Sequence, residues 1–207
     1  MKDAFAFARG FVTEKGFSDE IEWQDSVSLE CLAENIFLQE YAWVVLASGM
    51  REAVVRRKFH LIAQCFYCWD SAERISRHAE SCVGAALQVF HHEGKMRAIA
   101  FTAGSIAVRG FTGFRSDLNS QPLETLRTLP YIGPVTQYHL AKNIGLNVAK
   151  PDRHLSRISN LFGFPTAESF CRNVAADTGA KISVVDLVFW RFATLQRNYL
   201  EILGQFV

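Results

Sequence analysis

The sequence predicts an all-α protein. Apolar residues recur three and four positions apart along nearly the whole chain, as on the buried face of a helix, and no convincing run alternates with the period of a strand. Of the 207 residues, 49% are hydrophobic and 21% are charged, which supplies a sizeable core and argues against wholesale disorder. We therefore expect roughly nine or ten helices of ordinary length, in one domain or in two small helical lobes.

The spacing of the apolar residues locates the helices of the first half of the chain. One is expected to begin after Ser28, which would cap it, and to end near Gly49. A second covers residues 54–66. A third covers residues 96–107, where alanines on the apolar face predict close packing against a neighbouring helix.

In the second half of the chain, a short helix is expected at residues 122–129 and another at 134–145. Proline suits the first turn of a helix and glycine its end, which favours these limits for the second of the two. The pair Pro165-Thr166 opens a further helix. The last helix is expected to run from Ser183 to Leu203.

Net charge is only +1, so composition alone does not indicate a nucleic-acid partner. Basic residues nevertheless outnumber acidic ones in the segments 51–58, 95–115 and 142–157, and a locally basic face is compatible with DNA binding. The start of the chain lacks the apolar run of a secretory signal, and no stretch approaches the length of a membrane span. We expect a soluble cytoplasmic protein, associated with the nucleoid if its source is bacterial.

The five cysteines are expected to be reduced thiols, because their number is odd and no secretory signal is present. Cys65 and Cys68 form a C-x-x-C pair, but it lies in an apolar stretch with helical spacing and no second pair follows. Two small residues packed one turn apart are a simpler interpretation than a metal site. We expect neither a metal nor another cofactor.

A tight connector separates the helices expected at 122–129 and 134–145. The segment Pro130-Tyr131-Ile132-Gly133-Pro134 contains two prolines and a glycine, which set the backbone angles of a short turn. The amides of Gly133 and of the following first helical turn lack intrahelical partners, so they could bind a DNA phosphate without any base-specific contact. The segment fits a plain turn between helices equally well.

A second segment, Lys150-Pro151-Asp152-Arg153-His154-Leu155, places a carboxylate at the start of another helix. Aspartate is among the best N-cap residues, so capping is its simplest role. Because a cap holds its carboxylate in one orientation, capping and catalysis by Asp152 are compatible.

The segments 129–136 (LPYIGPVT) and 150–157 (KPDRHLSR) together resemble the signature of the helix-hairpin-helix DNA glycosylases, the superfamily of endonuclease III. In that signature a hairpin L-P-G-[IV]-G precedes an aspartate in a context like V-D-x-H-[VL]-x-R, and Asp152, His154 and Arg157 stand at the matching positions. Residues 45–51 more weakly resemble a helix end that carries L-L-S-x-Q in the family. The resemblance covers residues 42–157.

The resemblance implies two helical lobes, with DNA across the cleft and the target base in a pocket between them. We expect residues 29–148 to form one lobe, which includes the helix-hairpin-helix at about 122–145. Residues 1–28 and 149–207 form the second lobe, which carries the catalytic aspartate.

The resemblance also implies the roles of particular residues. Asp152 is the expected catalytic carboxylate, and contacts to DNA are expected from Tyr131, Gly133, Val135, Thr136, Met50 and Arg51. Candidate pocket residues are Trp43, Lys142, His154 and Asp186. Two of these have simpler interpretations: Asp186 as part of a Ser183-x-x-Asp186 capping box, and Lys142 as a solvent-facing or phosphate-contacting lysine.

The sequence departs from the family pattern in four places. Tyr131 replaces the first hairpin glycine, so the turn is expected to avoid the left-handed region or to differ in detail. Val135 stands where bifunctional members carry a catalytic lysine, and Met50 stands where glutamine is common. The four clustered cysteines that bind an iron–sulfur cluster in some members are missing, and only Cys171 lies in that region.

The implied function is that of a monomeric base-excision-repair glycosylase, which acts on double-stranded DNA containing a damaged or mismatched base. Val135 cannot form a Schiff base, so simple hydrolysis is expected. Two alternatives stay open: a bifunctional glycosylase/lyase for oxidised purines that uses Lys142, and a non-catalytic helix-hairpin-helix DNA-binding protein. The lesion is also open among alkylated purines, oxidised guanine, deaminated bases and mismatched thymine.

Overall fold

The computed structural model describes all 207 residues and contains fourteen α-helices and no β-strand. The predicted all-α class is therefore confirmed. Two single 3₁₀ turns lie at Leu29–Cys31 and Tyr67–Trp69. No helix has both the length and the apolar character needed to cross a bilayer. The helices are α1 Lys2–Glu14, α2 Ser18–Ser26, α3 Glu34–Ala47, α4 Glu52–Cys65, α5 Ala72–Arg77, α6 Ala79–Val89, α7 Glu93–Arg109, α8 Phe111–Ser120, α9 Pro122–Arg127, α10 Thr136–Asn143, α11 Arg153–Leu161, α12 Ala167–Thr178, α13 Ile182–Leu195 and α14 Tyr199–Gly204.

The expected number of nine or ten helices is wrong, because several helices are too short to show a clear apolar period. Helices α5 and α14 have six residues each. The single helix expected from Ser183 to Leu203 is broken, since Gln196 adopts an extended conformation after α13 and α14 begins only at Tyr199. The helix expected to start after Ser28 begins at Glu34 instead, after a 3₁₀ turn.

The helix starts and ends that depend on local caps agree better with expectation. Thr166 caps α12 through a reciprocal capping box with Ser169. Helices α9 and α10 lie on either side of the Pro130–Pro134 connector, and α9 has proline in its first turn.

One compact unit is discontinuous in sequence and consists of Met1–Ser28 and Ala141–Val207. Its centre is α13, which is apolar on nearly all sides and therefore buried along most of its length. Helices α1, α2, α11 and α12 pack around it. Phenylalanines from three of these helices meet in the core, where Phe189 lies 5.9 Å from Phe5 and 5.1 Å from Phe170 between ring centroids.

The other compact unit is continuous and consists of Leu29–Leu140. Its centre is α7, which packs against α3, α5, α6 and α8. The close packing expected for α7 is present, since a side chain at Gly104 would lie 3.4 Å from the hydroxyl of Ser76 on α5. The boundary between the two units falls inside α10, after Leu140, whereas the sequence analysis placed it after residue 148.

Candidate active site

The expected catalytic residue, Asp152, is the N-cap of α11. Its Oδ1 atom accepts hydrogen bonds from the backbone N–H groups of His154 and Leu155, at 2.9 and 3.1 Å. These are two of the donors that a helix start leaves without an intrahelical partner. Both the capping interpretation and a fixed orientation of the carboxylate follow from this geometry.

The second carboxylate oxygen of Asp152 takes no part in the cap. Its nearest charged partner is the ammonium of Lys150, 3.9 Å from Oδ2, and the Asp152 side chain is 14% exposed. One oxygen is thus held by the helix start, while the other remains available beside a cation. This division is what a residue needs if it is to be immobile and still interact with a developing positive charge or a water molecule.

The loop that leads from α10 to Asp152 has no regular secondary structure, yet side chains of α12 and α13 fix its backbone. The N–H of Ala149 donates to the carboxylate of Glu168 at 2.8 Å, and the N–H of Lys150 donates to Oδ2 of Asp186 at 2.7 Å. Bonds from backbone donors to carboxylates are among the stronger hydrogen bonds in proteins. The position of Asp152 is therefore set by tertiary contacts as well as by its own cap.

The capping-box interpretation of Asp186 is wrong. Helix α13 begins one residue before Ser183, and the Ser183 N–H donates to the side-chain oxygen of Asn147 at 3.1 Å. Asp186 instead points into the interior, where it is 1% exposed. An aspartate surrounded on its helix by apolar residues is the sequence signal for a buried charge with a partner.

The expectation of a solvent-facing or phosphate-contacting Lys142 is also wrong. This lysine is 5% exposed, and its ammonium forms an ion pair with Oδ1 of Asp186. Burial raises the pKa of the Asp186 carboxyl, while the charge and hydrogen bond of Lys142 oppose that rise. The backbone carbonyl of Lys142 accepts a hydrogen bond from the Gln24 side chain at 3.1 Å, so the end of α10 is fixed from two directions.

His154 is half-buried and faces α14. Its Nδ1 lies 3.3 Å from the hydroxyl of Tyr199, and the two rings meet at a steep angle with centroids 5.4 Å apart. Burial lowers the pKa of the His154 imidazole, and the nearby charge of Asp152 opposes that effect. His154 contributes to the Asp152 cap through its backbone and to the α11–α14 contact through its side chain.

Tyr131 in the Pro130–Pro134 hairpin adopts the left-handed conformation, with φ of 62°, so the expectation that the turn avoids this region is wrong. A residue with a side chain pays about 1–2 kcal/mol for this conformation. Two contacts hold Tyr131 there: its hydroxyl lies directly over the Cα of Gly94 in the first turn of α7, and its ring meets His92 edge-on at 6.0 Å. The tyrosine remains 42% exposed.

The amide of Gly133 does not point freely outward as expected, because it donates to the hydroxyl of Thr136 at 2.7 Å. Gly133 also lacks a positive φ, and a methyl group there would make only an ordinary contact, 3.9 Å from that hydroxyl. The N–H groups of Val135 and Thr136 have no partner within the protein. These two amides, at the start of α10, are the donors that the hairpin offers to an anion.

The hairpin is fixed to the rest of its unit by Tyr41 of α3. The buried Tyr41 hydroxyl donates to the carbonyl of Pro130 at 2.9 Å and approaches the carbonyl of Ala98 at 3.4 Å. Burial raises the pKa of Tyr41 well above its usual value, so the hydroxyl stays protonated and able to donate. Tyr41 was not predicted from the sequence, because it has no local signal beyond its place on an apolar helix face.

The segment that follows α3 carries Met50 and Arg51, both exposed. It is supported from within by Lys95, which is 3% exposed and donates through its ammonium to the carbonyls of Leu46 and Ser48, at 2.9 and 2.5 Å. This lysine satisfies carbonyls at the end of α3 that the helix cannot bond itself. The consecutive residues Gly94 and Lys95 therefore support the hairpin and the Met50–Arg51 segment respectively.

Trp43 is engaged in the packing of α3 on α4. Its ring meets Phe59 edge-on at 5.2 Å, and the guanidinium of Arg56 lies 5.5 Å from the ring centroid. Two lysines that the sequence analysis assigned to basic segments, Lys95 and Lys142, are buried, so the predicted basic face is smaller than expected.

All five cysteines are free thiols, and no cluster of histidine, cysteine, aspartate and glutamate side chains has the composition of a metal site. Cys65 ends α4, whereas Cys68 is exposed and lies in a turn with φ of 51°. The two are therefore not a pair of packed core residues one helical turn apart, as the sequence analysis expected. The α4 helix ends between them.

Comparisons of this chain with protein-family models, with curated proteins and with solved structures gave no match.

Proposed function

We propose that this protein is a DNA glycosylase that hydrolyses the N-glycosidic bond of a damaged or mismatched base, with Asp152 as its catalytic carboxylate. The observation that carries the proposal is that the two carboxylate oxygens of Asp152 have different surroundings. Oδ1 is held by the amides of His154 and Leu155, while Oδ2 remains outside the cap. The resemblance of the surrounding KPDRHLSR segment to the glycosylase signature gives this geometry its functional meaning.

The chemistry requires a fixed negative charge. As the bond from the base to C1′ of the deoxyribose breaks, the base leaves with the electron pair and positive charge develops on the sugar. The carboxylate of Asp152 stabilises that charge, and it orients the water whose oxygen bonds to C1′ and whose proton is released. Because C1′ is inaccessible inside a duplex, the nucleotide must first flip out, at a cost of a few kcal/mol that is lower for a damaged base.

The hairpin contributes DNA binding without reading the sequence. The partnerless N–H groups of Val135 and Thr136 lie at the positive end of the α10 dipole, which suits a backbone phosphate. Gly133 leaves the approach open, since no side chain projects there. Tyr131, Met50 and Arg51 are all exposed, and contacts from them would add to DNA binding.

Hydrolysis is favoured over a lyase mechanism. Val135 has no amine, and the only lysine of α10, Lys142, is buried in an ion pair with Asp186. An amine that is buried in this way is not presented to a sugar bound at the surface.

The experiment is incubation with a panel of duplexes, each containing one alkylated purine, oxidised guanine, deaminated base or mismatched thymine. We expect free base from at least one duplex, and strands that break only after alkali treatment. Borohydride trapping of a covalent protein–DNA adduct would contradict simple hydrolysis. Tight duplex binding with no base released from any substrate would support the non-catalytic alternative.

The hairpin has its own test, the Gly133→Ala variant. In the free protein the added methyl fits, so we expect unchanged stability. At a phosphate-binding turn it would obstruct the approach, and affinity for damaged and undamaged duplexes should fall alike. Unchanged affinity for both duplexes, measured by fluorescence anisotropy, would show that this turn does not contact the phosphate.

A further inference from the structure

The buried pair of Lys142 and Asp186 has no part in the chemistry described above. Each residue occupies an interior position where a charge is costly, and the pair could in principle be replaced together by apolar residues without loss of fold. The pair therefore calls for an explanation beyond packing, and the atoms around Asp186 supply one.

The two carboxylate oxygens of Asp186 have different partners. Oδ1 accepts from the Lys142 ammonium, and Oδ2 accepts from the backbone N–H of Lys150 at 2.7 Å. The first contact neutralises the buried carboxylate. The second fixes a backbone atom of the loop that carries Asp152.

A short stiff link joins Lys150 to Asp152. The Asp152 N–H donates to the Lys150 carbonyl at 2.8 Å, which closes a tight turn centred on Pro151. The proline ring fixes its own φ and restricts the residue before it, so the turn has little freedom. A displacement of the Lys150 amide would therefore move Asp152, and it would also move the Lys150 ammonium that lies 3.9 Å from Oδ2.

We infer that Asp186 is a positioning residue for Asp152: its carboxylate fixes the Lys150 amide, and Lys142 serves to neutralise Asp186 in the interior. This inference rests on the proposed function of Asp152. Catalysis depends steeply on such placement, since a misplacement of about 1 Å can lower a rate by about 100-fold.

Two double variants separate the hydrogen bond from the charge. Lys142→Met with Asp186→Asn removes both charges but keeps a side-chain oxygen that can accept from the Lys150 N–H. Lys142→Met with Asp186→Leu removes both charges and the acceptor. Each is electrically neutral in the interior, so neither leaves a buried charge without a partner.

A third double variant, Arg191→Met with Glu20→Gln, is the matched control. Arg191 of α13 is 7% exposed and bonds Glu20 at 3.0 and 2.9 Å, so this change removes another ion pair of the same helix. Arg191 lies five residues after Asp186 on α13, and Glu20 lies on α2. This control should lower stability and leave kcat unchanged.

We expect the leucine double variant to lose about 100-fold in kcat with KM little changed, and the asparagine double variant to retain most of the wild-type kcat. Equal kcat in the leucine variant and the wild type would overturn the inference. So would equal losses in both, which would mean that a charge or the Lys142 amine is required. A rise in KM alone, or an equal loss in the Arg191 control, would likewise overturn it.

Hydrogen exchange gives a readout that does not depend on base excision. The Lys150 amide should be protected in the wild type and in the asparagine variant, and should exchange about tenfold faster or more in the leucine variant. Similar protection in all three would contradict the inference even if the protein released no base. The absence of base release by the wild type would instead refute the proposed function.

A variant of the exposed Pro151 tests the inference without changing the interior. It keeps the positioning role of Asp186 testable if the leucine double variant does not fold. Pro151→Gly keeps the Lys142–Asp186 pair but makes the turn flexible. We expect kcat to fall with KM unchanged. An unchanged kcat would show that the position of the Lys150 amide does not determine the position of Asp152.

Discussion

At Asp152, capping and the proposed catalysis use different atoms. Oδ1 accepts hydrogen bonds from two backbone N–H groups at the start of α11, and Oδ2 lies 3.9 Å from the Lys150 ammonium. The same residue can therefore stabilise a helix and provide a catalytic charge. An aspartate found at a helix start does not have to be assigned to one role alone, and the test must be a substitution that separates the two.

His154 should make stability depend on pH. Burial lowers the pKa of its imidazole below 6.5, so between the folded-state pKa and 6.5 the unfolded chain binds more protons than the folded protein. Stability should then rise with pH through this window and be fully present above 6.5. Acidification below that value should weaken the fold.

The measurement is the free energy of unfolding of the wild type and of His154→Gln, taken below and above pH 6.5. Other groups titrate in both proteins, so the difference between them isolates His154. The variant should show the smaller loss at acid pH. Identical pH dependence of the two proteins would contradict this account of His154.

A side chain at Gly94 should displace the Tyr131 hydroxyl, which occupies that space. The matched control is Gly84, an exposed glycine within α6 with nothing nearby. Gly84→Ala should stabilise the protein by about 0.5–1 kcal/mol, as expected for alanine in a helix. Gly94→Ala should lack this gain and should weaken DNA binding, because Tyr131 is displaced from the hairpin. Equal gains in the two variants, with unchanged DNA affinity, would contradict the proposed support of the hairpin.

At the scale of single elements, the end of α3 depends on a buried lysine. The ammonium of Lys95 bonds the carbonyls of Leu46 and Ser48, and burial lowers the pKa of this lysine. Lys95→Met should destabilise the protein by about 1–3 kcal/mol, since those carbonyls lose a charged donor. The Met50–Arg51 segment should loosen as well, and DNA affinity should fall.

Salt titration distinguishes this supporting role of Lys95 from a direct contact. A lysine that touches a phosphate contributes about one unit to the slope of log K against log salt. Because Lys95 is buried, Lys95→Met should weaken binding without changing that slope. A decrease of about one unit in the slope would show that Lys95 binds the DNA backbone itself.

The helices and the hairpin differ in how well local sequence predicts them. Thr166 caps α12, which begins where the sequence predicts, because a capping box is formed by residues close together in sequence. The prediction of a single helix at 183–203 is wrong, because the apolar spacing continues across Gln196 and so gives no sign of the break there. The expectation that Tyr131 avoids the left-handed conformation is wrong as well, because that conformation depends on contacts with Gly94 and His92, which are distant in sequence.

At the scale of the whole molecule, the all-α class follows from apolar spacing alone, but the two units do not. One unit combines Met1–Ser28 with Ala141–Val207, and such a discontinuous core leaves no local signal. The candidate site shows the same limit. The cap of Asp152 is local and was expected. Asp186 lies 44 residues from its partner Lys142, so the only sequence signal for such a partner is the apolar surroundings of Asp186 on its helix.

The central claim is that the negative charge of Asp152 drives base release. It is tested most directly by the single-turnover rate of Asp152→Asn on the lesion that the wild type excises. Asparagine is as good an N-cap as aspartate, so folding and duplex affinity should be retained. The control is Asp177→Asn, which removes the same charge from an exposed position on α12.

The account predicts that Asp152→Asn releases the base about 100- to 10,000-fold more slowly than the wild type, while Asp177→Asn is unaffected. Base release by a folded, DNA-binding Asp152→Asn variant at the wild-type rate would contradict it.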